Sequence, residues 1–358
     1  VALKEWLEPD AGRPARPVLR GRRRSNASLL PDQLYWVEPS GKCFNRRFNR
    51  QKLIEFLARR EPARVALEAC GSAHWWARQL RSLGHEPVLL HANYVRPFVQ
   101  TNKTDAADAK AIWTAAQQPG MPVVAPKDES QQCVLSLHAM RRLRVKMRTM
   151  LVNQLRGTLF EFGAHFPRGL RTGLQEIVQH MADIEQSVPP MLFEFVHEQL
   201  QSIERLDQEI ARLDQRIDDW GRQNPACRTI LAIPGIGMLT ATALVATIGD
   251  VHTFKSGRQL AAYLGLVPKQ TGTGGKLWLG GISKRGDPYV RTLLIHGARV
   301  VLTHLRRKYQ PGWALTLTQR RPKNVVAVAM ANKAARTVWA LLAHDRAYDR
   351  DYVSVRPA

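Results

Sequence analysis

Three carboxylate side chains carry the clearest chemistry in this sequence. Glu68 closes an apolar run, Arg64-Val65-Ala66-Leu67-Glu68-Ala69, so it stands at the end of an expected strand. Asp105 and Asp108 lie three apart in Thr104-Asp105-Ala106-Ala107-Asp108, a spacing that puts both on one face of a helix. Oxygen donors so arranged can converge on a pair of divalent cations of the kind that catalyse phosphoryl transfer. A plainer reading exists for each. Acidic residues suit a helix N-terminus because of its dipole, and any carboxylate can end a strand.

The charge balance names the class of partner. The chain has 358 residues, with 53 Lys and Arg against 30 Asp and Glu, a formal net charge of +23. Such an excess selects a polyanion, above all nucleic-acid phosphate. The four cysteines, Cys43, Cys70, Cys133 and Cys227, form no CxxC pair, which argues against a zinc site or a disulfide framework and fits a reduced cytoplasm. The chain shows no uninterrupted apolar run long enough to span a bilayer and no apolar leader segment, so no membrane partner is expected.

The elements that must position these residues follow from periodicity. Arg13, Arg16, Arg20, Arg22, Arg23 and Arg24 alternate with Pro and Gly, so residues 1–32 read as a disordered basic arm. Order begins near Leu34-Tyr35-Trp36-Val37, and a turn at Gly41-Lys42 leads to a return strand ending at Phe48. Helices over 52–59, 74–83 and 105–116 alternate with strands over 65–69, 87–90 and 122–124, which predicts an α/β sheet domain over 33–126. Residues 127–225 read as a helical linker. In its second helix Ile203, Leu206, Ile210, Leu213, Ile217 and Trp220 step alternately by three and four, a coiled-coil seam that serves either an intramolecular hairpin or a dimer. A mainly helical domain follows over 226–345, then a tail over 346–358. The last domain opens on Ile233-Pro234-Gly235-Ile236-Gly237. Gly235 and Gly237 there allow a backbone to approach a phosphate, as in a helix-hairpin-helix turn. The segment Thr271-Gly272-Thr273-Gly274-Gly275-Lys276 reads as a Gly-rich loop, and Ser283-Lys284-Arg285-Gly286-Asp287 as a basic turn.

Four stretches together resemble the insertion-sequence-110 family of transposases, in its 1111-like subgroup. They are Leu67 to Trp76, Asn102 to Asp108, Ile233 to Gly237 and Leu279 to Asp287, and the resemblance spans residues 34–310. It implies an RNase H-like, resolvase-like N-terminal domain with a D-E-D-D metal site, a helical linker and a C-terminal transposase domain with a nucleophilic serine. Magnesium, DNA, a guide RNA from the element and a homodimer or tetramer are implied with it. Glu68, Asp105 and Asp108 take the last three acidic places. The first place falls on Asn26, where no apolar strand stands, and the resemblance begins abruptly near Gln33. A frameshift or misjudged start would account for this. Asp32 is a conceivable substitute in a different register.

The remaining candidates are read from residue type and charge, with a nucleophilic serine implied by the resemblance. Ser256, in Phe254-Lys255-Ser256-Gly257-Arg258, reads structurally as a helix N-cap and functionally as the nucleophile, with Lys255 and Arg258 adding positive charge for an incoming phosphate. Lys276, Lys284, Arg285 and Arg291 are expected at phosphates. Arg141, Arg142, Arg144, Lys146 and Arg148 on the linker helix are expected at the guide-RNA backbone. Trp75, Trp76, Tyr94, Phe98 and Trp278 can stack on bases or pack in the core. Two rival functions share these residues: a structure-specific nuclease of the resolvase type, and a catalytically inactive nucleic-acid-binding remnant.

Overall fold

The structure is a computed structural model that describes residues 32–100, 102, 104–167, 169–304, 312–350 and 352. The expected basic arm lies outside the described residues except for Asp32, as does part of the 346–358 tail. Two compact units divide between Val124 and Ala125.

The first unit opens with an antiparallel hairpin, β1 (Asp32–Val37) and β2 (Cys43–Phe48), joined through a turn in which Gly41 takes a positive φ of 82°. Then come α1 (Arg50–Ala58), β3 (Arg64–Glu68), α2 (Ala73–Ser82), β4 (Glu86–Leu90), the short α3 (Ala92–Val95), α4 (Asp105–Ala116) and β5 (Val123–Val124). Strands β3 and β4 are parallel, as the intervening helix requires, and β5 adds antiparallel to β4. Val88, Leu90, Ala111 and Ala115 bury one face of this sheet under α4. Leu53, Leu57, Trp76 and Leu80 form the cluster on its other side. Among the described residues β1 pairs only with β2 and β3 only with β4, so each keeps one unpaired edge.

The second unit is mainly helical. A capping box of Asp128 and Gln131 starts α5 (Glu129–Glu161). It is followed by α6 (Leu170–Gln179), α7 (Met181–Ser187) and α8 (Pro190–Gln223). Helices α5 and α8 pack antiparallel. Ile203, Leu206, Ile210 and Ile217 of the seam are buried, so the seam is satisfied within one chain. Beyond it lie α9 (Pro225–Ile230), α10 (Met238–Ile248), α11 (Gly257–Tyr263), the hairpin β6 (Pro268–Thr273) and β7 (Lys276–Ile282), α12 (Pro288–His304), α13 (Gly312–Thr318) and α14 (Lys323–Ala343). By length and composition α14 could cross a membrane. Its Val326, Ala327, Met330, Ala331, Ala335, Val338 and Leu341 instead belong to the core of this unit. The expected Gly-rich loop is a β-hairpin: Gly274 and Gly275 occupy its turn at φ 54° and 76°, both left-handed, as a tight two-residue turn demands.

Candidate functional site

Strand alternation and helix periodicity bring the three carboxylates to one side of the first unit. Ala66 packs toward α4, so Glu68, two residues on, points to the same face of β3. On α4 the buried stripe runs through Ala111 and Ala115, and Asp108 lies one turn before it. The end of α4 is followed by Gln117 and Gln118, which line a cleft with Arg64 at the start of β3 and with Leu90, the β4 partner of Glu68. Thr104 caps that helix by accepting from the Ala107 N–H at 3.2 Å.

The hairpin supplies a neighbour that the sequence did not announce. Asn45 and Arg47 alternate onto the α4 side of β2. Asn45 donates to the Ala106 carbonyl at 2.9 Å, and Arg47 pairs with Asp105 at 3.2 Å. Asp32 belongs to the opposite face. It shares that face with Leu34 and stands across from Phe48, which contacts Phe56 of α1. There one carboxylate oxygen is buried without a hydrogen-bond partner. Burial pushes the Asp32 carboxyl up from the ordinary range, against the pull of Arg50. As a substitute for the first acidic place Asp32 therefore faces the wrong way: a strand cannot turn one residue to the other side without shifting its whole register.

In the second unit Ser256 caps α11, its hydroxyl accepting from the Gln259 N–H. The segment before it is held to α14, because the Trp339 indole donates to the Phe254 carbonyl at 2.9 Å. Gly257 packs so tightly that a Cβ there would lie 2.9 Å from the Arg336 carbonyl oxygen. Ser256 is half-buried on this braced segment, between the exposed Lys255 and Arg258.

Several basic and glycine positions have structural uses that spacing could not show. Arg141, Arg144 and Arg148 form ion pairs with Asp214, Glu209 and Asp207, so they stitch α5 to α8 rather than face solvent as a basic strip. Arg142 and Lys146 remain exposed, with the Arg142 guanidinium 5.3 Å over the Tyr289 ring. Arg291 is 8% exposed, not a surface cation, and donates to the Leu264 and Arg285 carbonyls at 3.1 and 2.8 Å. Burial lowers its pKa. It ties down the basic turn, from which Lys284 and Arg285 point outward. Gly235, at φ 88°, is spent on packing: a Cβ there would meet the Gly297 carbonyl oxygen of α12 at 2.8 Å. Gly237 is open and caps α10. Lys276 is exposed on β7. Of the candidate stacking aromatics, Trp76 is core and Trp75 lies edge-on against it, Phe98 packs with Val95, and Tyr94 and Trp278 are exposed.

Sequence reasoning also missed a buried polar cluster. His138 of α5 is 2% exposed and bonds Tyr289 Oη and Thr242 Oγ1, each at 3.0 Å. Thr242 already donates to the Met238 carbonyl at 2.9 Å, so it accepts from His138 Nε2–H, leaving Nδ1 to accept from Tyr289. Burial first, then Arg141, lowers the His138 pKa to about 4. Lys127 lies buried close by, its pKa lowered by burial and raised again by Asp287. Only the i, i+4 pairing of Val134 with His138 hinted at an inward histidine.

Similarity to known proteins runs along most of the chain. The sequence model of the Transposase IS116/IS110/IS902 family matches residues 227–311, and a DEDD-type IS110 transposase model matches residues 38–163. A probable family 20 transposase of Pseudomonas aeruginosa is 44% identical over 306 residues, covering 85% of this chain and 90% of that protein. The transposase for insertion sequence element IS1328 of Yersinia enterocolitica is 39% identical, covering 82% and 88%. That for IS1111A of Coxiella burnetii is 36% identical, covering 88% of each. The DEDD type implies a divalent cation. Carboxylates are the right donors for a hard ion. Yet among the described residues no three His, Cys, Asp or Glu side chains are gathered to hold one, and Asp105 is engaged by Arg47. A cation held by these carboxylates would require Arg47 to release Asp105.

Proposed function

The chain belongs to the IS116/IS110/IS902 family of transposases, and on that premise we propose that it breaks and rejoins DNA strands at the ends of an insertion sequence through a transient link to Ser256. In this reading Ser256 Oγ forms a bond to phosphorus while the bond from phosphorus to one deoxyribose oxygen breaks, and the proton lost from the serine hydroxyl is balanced by the one that oxygen takes up. A strand hydroxyl then reverses the exchange. Phosphodiester bonds are conserved, so no nucleotide cofactor is consumed. The observation that supports this reading best is the braced position of Ser256 at the start of α11, beside Lys255 and Arg258. Cations so placed suit the charge that develops on a phosphoryl group in transfer.

Glu68, Asp105 and Asp108 are proposed to hold the divalent cation, with magnesium the expected ion, and Arg47 would have to release Asp105. An RNase H-like fold for the 33–126 region, a guide RNA and a dimer or tetramer belong to the same proposal. Covalent trapping on labelled DNA carrying element ends tests it, with guide RNA and magnesium present. Ser256→Asn keeps a capping side chain but no hydroxyl, so it should lose the protein–DNA adduct without losing the fold. An adduct that survives Ser256→Asn overturns the assignment, and cleavage without any adduct favours a resolvase-type nuclease.

A further inference from the structure

The β6–β7 ribbon stands out from the second unit with both faces exposed. Leu277, Trp278 and Leu279 are 62%, 56% and 63% exposed, and no residue between Pro268 and Ile282 enters a hydrophobic cluster. Isolated two-stranded hairpins are marginal in water, so such a ribbon is held by its base or by a partner. The base is rigid. Ser283 N–H donates to the Val267 carbonyl at 2.8 Å and Lys284 N–H to that of Gly265 at 3.1 Å. A Cβ on Gly265 or Gly286 would lie 2.1 or 2.0 Å from a backbone oxygen of the facing segment.

The two faces differ in chemistry. Cross-strand pairs Thr271 with Trp278 and Thr273 with Lys276 share one face. Lys269 joins them, because a Cβ on Gly280, two residues after Trp278, would sit 3.9 Å from the Lys269 Cβ. This face therefore presents two lysines, two hydroxyls and one indole. The other carries Gln270, Gly272, Leu277 and Leu279. No carboxylate occurs from residue 251 to residue 286, where Lys255, Arg258, Lys269, Lys276, Lys284 and Arg285 do. A second copy of this chain, at +23, is a poor electrostatic match for such a stretch, whereas a polyanion is a good one. Lys269 lies four residues along β6 from the partner of Lys276, a span of about 13 Å at strand rise. That is close to the ~12 Å width of the DNA major groove, which admits a two-stranded ribbon.

We propose that the Lys269–Thr271–Thr273–Lys276–Trp278 face of this ribbon docks in the major groove of duplex DNA, the lysines meeting phosphates on either side and Trp278 the base edges. The partner class rests on the transposase reading. Equilibrium binding tests the docking without any cleavage, so either can fail alone. The full-length chain is titrated with a 30-base-pair DNA duplex, and with single-stranded DNA and duplex RNA of equal length, over a range of salt. Lys269→Gln with Lys276→Gln should reduce the log-affinity versus log-salt slope on duplex DNA by about 1.8, that is, about 0.9 for each lost phosphate contact. Trp278→Ala should weaken binding with the slope intact, and Leu277→Ser with Leu279→Ser should change neither. All substituted side chains are exposed, so an unchanged melting temperature certifies the fold. An unchanged slope on duplex DNA overturns the proposal. So does a change confined to single strands or RNA, or a leucine variant that alters oligomeric state while the lysine variant does nothing.

Discussion

Substituting Gly297 by alanine separates two roles for the turn at Ile233–Gly237. Gly297 lies inside α12, where alanine is ordinarily better than glycine by about 0.5–1 kcal/mol. If nothing faced it, Gly297→Ala would stabilise the protein. Its Cβ would instead lie 1.8 Å from the Gly235 carbonyl oxygen, where real contacts begin near 3.0 Å, so a gap of at least 3.0 − 1.8 = 1.2 Å must open. Neither atom belongs to a flexible side chain. Overpacking of this kind costs about 1–3 kcal/mol, and two backbones that cannot rotate away belong at the upper end. Net of the helix gain, destabilisation should be about 2 kcal/mol. For a unit of this size that is a fall in Tm of about 4–8 °C. Thermal unfolding of the full chain followed by circular dichroism reads it. A Tm that rises would show that Gly235 does not pack on α12 and would restore it as a candidate phosphate contact. Gly237→Ala, with open space and φ −92°, should leave Tm nearly unchanged while lowering DNA affinity if that backbone meets a phosphate.

Other outcomes follow from the same geometry. His138 is buried neutral with a pKa lowered to about 4, so the unfolded chain binds the proton first as pH falls through the ordinary histidine range. Stability present above about pH 6.5 should therefore drain away between there and pH 4, by about 3 kcal/mol at most, and His138→Asn should flatten that dependence in denaturant titrations. A slope unchanged by the substitution would move the pH response to other groups. Arg141→Gln, Arg144→Gln and Arg148→Gln should each cost about 0.5–1 kcal/mol by loosening α5 from α8, with the salt dependence of nucleic-acid binding little altered, whereas Lys146→Gln should reduce that dependence. Equal slope losses for both sets would return all of them to the interface. Asp32→Asn should leave any DNA cleavage by the chain unchanged, while Glu68→Gln and Asp108→Asn should abolish it. Loss of cleavage on Asp32→Asn would show that β1 turns its other face to the site.

Periodicity and turn chemistry alone determine much of this protein. The apolar run before Glu68, the helical spacing of Asp105 and Asp108, the three-four seam from Ile203 to Trp220 and the N-cap at Ser256 are local properties. They are legible because each depends on residues within a few turns or one strand. Four separated motifs in order were enough to point to the transposase family. What a cation, a glycine or a carboxylate faces is a matter of long-range packing, and only the tertiary structure decided it. A run of arginines in α5 looks like a basic strip until α8 folds back and offers Asp207, Glu209 and Asp214. Gly235 reads as a backbone opened to a ligand until Gly297 arrives from a helix some sixty residues on. Arg291 reads as a surface charge until the Leu264 carbonyl closes on it, and the Gly-rich segment as a loop until Leu277 and Gly272 pair across Gly274-Gly275. Partners distant in the chain leave no periodic trace near the residue they engage, because side-chain type encodes only what a position can do, and the fold selects which of those things it does.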